Sequence, residues 1–482
     1  MWKYSSFYFR MTSCVVSLFF LAFLCSSINA VDPTGLKLRI TNRALNILRD
    51  IGLEFLQTLV NRPFDFTPLD ARLKCTIRRL TLTSLNPDQV DLSFQQGSGL
   101  QFEIKNLNFA VDLEREVRLC LWREFNVDAG STAFGGAGVS ATIGVKLSRN
   151  RQGRLSIEIP NCVIRADAIL TQSTGWIGRL VDVLRPVLQH FFNTQFCPAV
   201  QRHAVPQVNS MLESISMAMT LYEGLGINID YSLSGDVTVA STFLDVPFKG
   251  LVFRQGETVD AGSIRRGADP VFRESDRMAY VGVSEFLINS AIMSVYSTGV
   301  MAQTQTVTGG AARTLRALQL FRQPSRMNNP LSAELEVTEA PSMSISRNDG
   351  MTVTARARVR VFAVPARREQ EQLLSVSARC TVQMTVAIHG NFLTLPSGNV
   401  DCRIITKNSI RDALVKPLNG LMSTKLRDFL RDCFDKGVLI PLPEGMGFTQ
   451  GQIDYQDGFM VVGGDLTLTP DVRKKMVRDF GR

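Results

Sequence analysis

The chain has 482 residues, 45% of them hydrophobic and 20% charged, with a formal net charge of +9. That length exceeds one small core and implies two or three compact units, and the apolar content suffices to build them. The mild basic excess is compatible with anionic partners without specifying one, and no nucleic-acid partner is expected.

In chain order, Lys3 and Arg10 precede an apolar run from Val15 to Leu24, and polarity returns before Ile28, Asn29 and Ala30. This is the anatomy of a cleaved signal peptide over residues 1–30. The run is too short to span a bilayer stably, and nothing later matches the length a spanning helix needs, so an exported, extracellular chain starting near Val31 is expected. Loss of Lys3 and Arg10 leaves a charge of +7.

Residues 41–60 carry Ala44, Ile47, Leu48, Ile51, Phe55, Leu56 and Leu59 at helical spacing, with Arg49, Asp50 and Glu54 opposite. An amphipathic helix is predicted there. From Lys74 to Leu170 the period shifts towards two, with breaks at Gly135-Gly136 and Asn150 to Gly153, as antiparallel strands require. A second helix is predicted from Gly175 to Phe196, followed by strands at Ile227 to Leu233 and Val237 to Phe243. Residues 253–276 are poor in apolar side chains and read as a linker. The plan then repeats: a helix from Ser284 to Tyr296, a series of strands, a helix from Ser409 to Phe434, and closing strands. The predicted division is an N-terminal unit over 31–252, a linker over 253–276, a C-terminal unit over 277–468 and a tail over 469–482.

Cys14 and Cys25 leave with the signal, and seven cysteines remain in a chain bound for oxidising surroundings. Cys162 and Cys197 lie in a strand and at the end of the helix after it. Cys402 and Cys433 show a similar arrangement, so two equivalent disulfides, Cys162–Cys197 and Cys402–Cys433, are expected. Cys75–Cys120 is a third candidate, leaving Cys380 over. No CxxC pair is present, and only His190, His203 and His389 could complete a mixed site, so structural zinc is not expected. There is no GxSxG elbow, Walker loop, HExxH or Gly-rich dinucleotide turn. The expected class is a binding protein without catalytic residues or cofactor.

Several segments resemble the bactericidal/permeability-increasing, lipopolysaccharide-binding and cholesteryl ester transfer family. Asp276-Arg277-Met278-Ala279-Tyr280-Val281-Gly282-Val283-Ser284-Glu285-Phe286 resembles the start of that family's second domain. Leu244-Asp245-Val246-Pro247-Phe248-Lys249-Gly250 is similar to its strand before the linker. Gly175-Trp176, Cys197 and Pro441-Leu442-Pro443 fall in the family's order, and the match covers Val31 to Leu468. The resemblance implies an α+β fold: a boomerang of two similar barrels, each a twisted antiparallel sheet wrapped on a long helix, joined by a central antiparallel sheet. It also implies two apolar pockets for phospholipid acyl chains, and the family disulfide matches Cys162–Cys197.

A helix across a curved sheet leaves an apolar gap that lipid tails can fill at about 0.8 kcal/mol per buried methylene. Leu45, Leu48, Leu188, Phe191 and Phe192 are the candidate lining residues. Family members that bind lipopolysaccharide are expected to use a cationic tip on the first barrel. Here residues 31–252 sum to only +1. The remaining anionic-headgroup candidates are Lys146, Arg149, Arg151 and Arg154 in one loop, and Arg356, Arg358 and Arg360 on one face of a strand. In the tail, Val472, Met476, Val477 and Phe480 would form the apolar stripe of a short basic helix able to lie on an anionic membrane. The leading expectation is a phospholipid carrier or transfer protein with phospholipid as cargo. The alternative is an innate-immunity protein that binds lipopolysaccharide.

Overall fold

The computed structural model describes residues 32–47, 49–50, 63–66, 73–120, 124–173, 193–194, 197–198, 201–202, 205–206, 208–210, 212–213, 216–257, 260–317, 329–364, 370–389, 392–394, 397–405, 420, 423–424, 427, 437–440 and 446–468. The chain opens with β1 (Leu36–Thr41), β2 (Pro63–Phe66), β3 (Leu73–Asn86), β4 (Gln89–Gln95), β5 (Gly99–Cys120), β6 (Glu124–Arg149), β7 (Leu155–Arg165) and β8 (Ala168–Ser173). Then come β9 (Ala218–Tyr222), β10 (Ile227–Asp230), β11 (Thr238–Val239), β12 (Phe243–Phe248), β13 (Leu251–Arg254), β14 (Ala279–Ser284), helix α1 (Glu285–Ser297), β15 (Ala302–Val307) and helix α2 (Gly309–Ala317). The remainder is β16 (Leu331–Val337), β17 (Ser342–Ser346), β18 (Gly350–Ala363), β19 (Glu371–Met384), β20 (Ala387–His389), β21 (Phe392–Thr394), β22 (Ser397–Ile405), β23 (Val438–Leu439), β24 (Met446–Gln456) and β25 (Phe459–Leu468).

These strands build an α+β molecule around three principal antiparallel sheets. The first has the order β2-β3-β5-β6-β7, with β4 added to β5 and β8 added to β6. The second runs β15-β16-β18-β19-β22, with β17 added to β18. Between them in composition stands a central sheet, β11-β12-β1-β14-β25-β24, which takes strands from the start, middle and end of the chain. Its core strand β14 is buried at all six positions, as a strand covered on both faces must be.

β1 lies between β12 and β14, with Leu38 opposite both Val246 and Val281. On its other face Arg39 is buried and forms a two-point ion pair with Asp245, at 2.7 and 2.9 Å. Its guanidinium stacks 3.6 Å from the centre of the Phe243 ring and 4.9 Å from that of Phe272. Lys37 reaches the Pro270 carbonyl at 3.2 Å. Residues 260–276 are therefore laid against the central sheet, with Ile264 and Phe272 buried. Gly282 permits the contact, because a Cβ there would collide with the Pro270 ring.

The second sheet shows strict alternation. In β18, Met351, Val353, Ala355, Ala357, Val359, Val361 and Ala363 all face the core, which continues through α1 residues Leu287, Ile288 and Ile292 into Leu36 and Leu38 of the central sheet. Helix α1 is anchored at its polar positions: Asn289 accepts from Met343 N at 2.7 Å and donates to Met343 O at 3.0 Å, and Glu285 accepts from Ile345 N at 2.7 Å. Side-chain groups of α1 thus pair with the edge of β17 that no strand covers. Among the described residues no helix is long and apolar enough to cross a membrane.

Candidate functional site

The first sheet presents one apolar face built in register. Val90, Ile104, Ala141 and Ile164 form a row across β4, β5, β6 and β7. Leu92, Phe102, Ile143 and Cys162 form the next, and Phe94, Leu100 and Val145 a third. Alternation sends Asp91, Ser93, Gln101, Glu103 and Lys105 to the other side. The first row is buried, whereas Leu92, Phe102, Ile143, Leu100 and Val145 are only half-buried. A surface of large apolar side chains is covered in part and left in part accessible. Such a surface can bury apolar groups such as acyl chains.

Two features hold this face in shape. β6 passes from β7 to β8 at Gly138, whose φ of 63° and contact with the Asp167 side chain suit glycine alone. Side chains of Asn193, Gln201 and Asn209 cap the outer edge of β7. Asn193 accepts from Ala166 N at 3.0 Å, Gln201 donates to Ile159 O at 2.8 Å, and Asn209 both accepts from Ile157 N at 2.8 Å and donates to Ile157 O at 3.0 Å. Within the same stretch, Cys197 forms a disulfide with Cys162, with a Cα separation of 5.7 Å. At the central-sheet end, Leu45 is buried with Phe94 and Val239, and Leu92 and Leu100 pack against this group.

Leu45 therefore joins the apolar face, while Leu48, Leu188, Phe191 and Phe192 lie outside the described residues, as do Val472, Met476, Val477 and Phe480. Sequence reasoning placed the lining on helices and missed Phe102 and Ile143, although the period-two runs of β5 and β6 already set them on one side. The expected Cys402–Cys433 pairing is corrected: Cys402 is bonded to Cys380, directly opposite it on β19, with a Cα separation of 4.0 Å. Both cysteines are buried in the second core. An inferred internal repeat had outweighed strand register, and Cys433 itself lies outside the described residues. The Cys75–Cys120 pairing is corrected as well. Cys75 stands opposite Val117, three residues from Cys120, or ~10 Å along the strand, beyond the span a disulfide bridges.

The cationic candidates are mostly engaged within the protein. Lys146 pairs with Glu158 at 3.2 Å, Arg149 contacts Asp32 at 3.5 Å and the Ser234 carbonyl at 3.3 Å, and Arg154 donates to the Glu213 carbonyl; Arg151 is exposed. Gly153 O accepts from Leu233 N at 2.7 Å, which docks this turn on the middle of the molecule. On the second sheet, Arg356 pairs with Glu339 at 3.1 Å and Arg360 with Glu334 and Glu336, both at 3.1 Å, while Arg358 is exposed.

One polar cleft lies beside the central sheet, lined by Glu274, Asp276, Arg277, Tyr280, Gln452 and Asp454 among others. The Tyr280 hydroxyl donates to Asp276 at 2.6 Å and accepts from Arg277 N at 2.9 Å. That hydrogen bond lowers the Asp276 carboxyl below its ordinary range, and burial, reinforced by Asp276, raises the Tyr280 phenol. Burial alone pushes Tyr231 far up. Among the described residues no group of three or more His, Cys, Asp or Glu side chains could hold a metal.

Comparison with known proteins agrees with this geometry. The profile "LBP / BPI / CETP family, C-terminal domain" matches residues 226–468. Human phospholipid transfer protein is 27% identical over 474 residues, covering 94% of each chain, and mouse BPI fold-containing family C protein is 21% identical over 90% of this chain and 88% of its own. Bovine lipopolysaccharide-binding protein is 22% identical over 56% of this chain and 57% of its own. A crystal structure of lipopolysaccharide binding protein superposes with a TM-score of 0.50 at 17% identity, covering 90% of this chain and 99% of the other, and so shares its fold. With the profile spanning half the residues, and the fold shared over 90% of the chain, the chain belongs to the lipopolysaccharide-binding, bactericidal/permeability-increasing and cholesteryl ester transfer protein family.

Proposed function

We propose that the protein is a secreted lipid carrier that takes up phospholipid and holds its acyl chains on apolar interior surface in each of two units, residues 31–252 and 277–468. The observation that carries this reading is the half-buried apolar field of Leu92, Leu100, Phe102, Ile143 and Val145, which the described part of the chain does not finish covering. The function named for human phospholipid transfer protein, which aligns over nearly the whole chain, supports it. The disulfides Cys162–Cys197 and Cys380–Cys402 suit an oxidising, extracellular setting. Each methylene withdrawn from water contributes about 0.8 kcal/mol, so two acyl chains supply ample affinity without a charged anchor.

The role is binding and carriage, with no catalytic step and no cofactor. Lipopolysaccharide recognition has less support, because three of the four cations in the first unit's basic loop already have partners. The full chain, purified from a secreting host, is expected to show bound phospholipid masses in native mass spectrometry. Phe102→Asp and Ile143→Asp should each reduce that occupancy severalfold while the molecule stays folded by circular dichroism. A wild-type protein free of lipid, and unable to take it up from vesicles, would overturn the proposal.

A further inference from the structure

The outer face of the second sheet, opposite its core, carries an arrangement of charge that folding alone does not favour. Arg356 on β18 stands directly opposite Arg379 on β19, and Arg379 directly opposite Arg403 on β22. All three are exposed, and Arg358 lies one outward position along from Arg356. Strands sit about 4.8 Å apart, so three guanidinium groups occupy a row roughly 10 Å wide. Like charges directly opposite across a strand pair destabilise a sheet.

Carboxylates relieve the ends of the row: Glu339 holds Arg356 at 3.1 Å, and Asp401 holds Arg403 at 3.1 Å. The centre is not relieved. Among the described residues Arg379 has no carboxylate within ion-pair distance, and Glu336, which stands opposite Arg358 on β16, is held by Arg360 instead. Around them the face offers hydroxyl donors, with Thr354 opposite Thr381 and Ser377 opposite Arg358. Planar guanidinium forks beside hydroxyls match the oxygens of phosphate, and a flat, open row can meet several phosphates at once.

We propose that this face, centred on Arg379, docks on the phosphates of an anionic phospholipid surface. It lies on the side of the sheet away from the core, so it is independent of where lipid is held inside. Charge complementarity argues for the partner, and the cost of holding Arg379 between two arginines argues that the row serves more than packing.

The test is flotation of the full chain with phosphatidylcholine vesicles, with and without phosphatidylglycerol, across a salt series. Arg379→Gln is expected to weaken binding to the anionic vesicles about fivefold and the Arg358→Gln/Arg379→Gln double variant about 25-fold, with the difference vanishing at high salt. Binding to neutral vesicles and the lipid content seen by native mass spectrometry should not change, which keeps this test separate from that of interior binding. Without vesicles, Arg379→Gln should melt at the wild-type temperature or slightly above it, because a repulsion is removed. Equal losses in Arg379→Gln and in Arg273→Gln, an exposed cation elsewhere, would overturn the proposal. So would unchanged binding, or competition by inorganic phosphate beyond that of chloride at equal ionic strength, which would mark a free-phosphate site instead.

Discussion

Arg39 shows how a single charged side chain can be committed to architecture. Its guanidinium is buried between two rings and neutralised by Asp245 from a strand more than 200 positions away. Replacing Asp245 with Ala would leave that cation buried and unpaired, at a cost of about 3–5 kcal/mol. An Asp245→Leu/Arg39→Met double variant should recover most of the loss, and urea denaturation of the three proteins measures it. A single variant within 1 kcal/mol of wild type, in the sense of ordinary surface changes, would refute the assignment. At this scale the sequence was legible only in part. Leu45, named from the sequence as a pocket-lining candidate, is buried beside Phe94 and Val239, whereas Arg39 and Asp245 carried no local signal, because their partnership exists only once β1 and β12 are side by side. Cys380 and Cys402 were misread for the same reason: they face each other through strand register, which spacing along the chain does not reveal.

At the scale of elements, the two flanking sheets solve one problem in the same way. Each has an edge strand whose outer backbone groups are satisfied by helix-borne amides: Asn209 on Ile157 of β7, and Asn289 on Met343 of β17. Asn209→Leu keeps the volume but deletes both bonds, and each orphaned group costs about 1–3 kcal/mol. The amide of Ile157 should then exchange with solvent at least tenfold faster in hydrogen-exchange measurements, with distant strands unaffected; unchanged protection would show that the cap is dispensable. The strands themselves were readable from alternation, most clearly in β18 and in the Leu100 to Val111 part of β5. The caps were not, since an Asn on a helix announces nothing about which distant carbonyl it will meet.

For the whole molecule, the central sheet decides whether the halves can exist apart. β14 is buried throughout and hydrogen-bonds to β1 on one side and β25 on the other. A chain ending at Ile440 would lack β24 and β25 and leave that apolar strand with an open edge. Such a truncation is expected to aggregate or bind the dye ANS, as read by light scattering and fluorescence. A soluble monomer with a cooperative melt would show that the halves are separable. A duplicated order of helices and strands was read from the sequence, and three of its four helices lie largely outside the described residues; the weaving of strands from the start and end of the chain into one sheet was not legible, because hydrophobic period gives direction and burial without naming neighbours.

That weaving also sets a timetable at the ribosome. β1 emerges first, yet its two neighbours are β12 and β14, and β14 in turn waits for β25, which begins at Phe459. At about 5–20 residues per second, some ten to thirty seconds pass between the appearance of β14 and that of its last partner. During that interval β1 can already line one edge of β14 while the other stays open, which leaves the nascent chain prone to pair with other chains until its final strand is delivered.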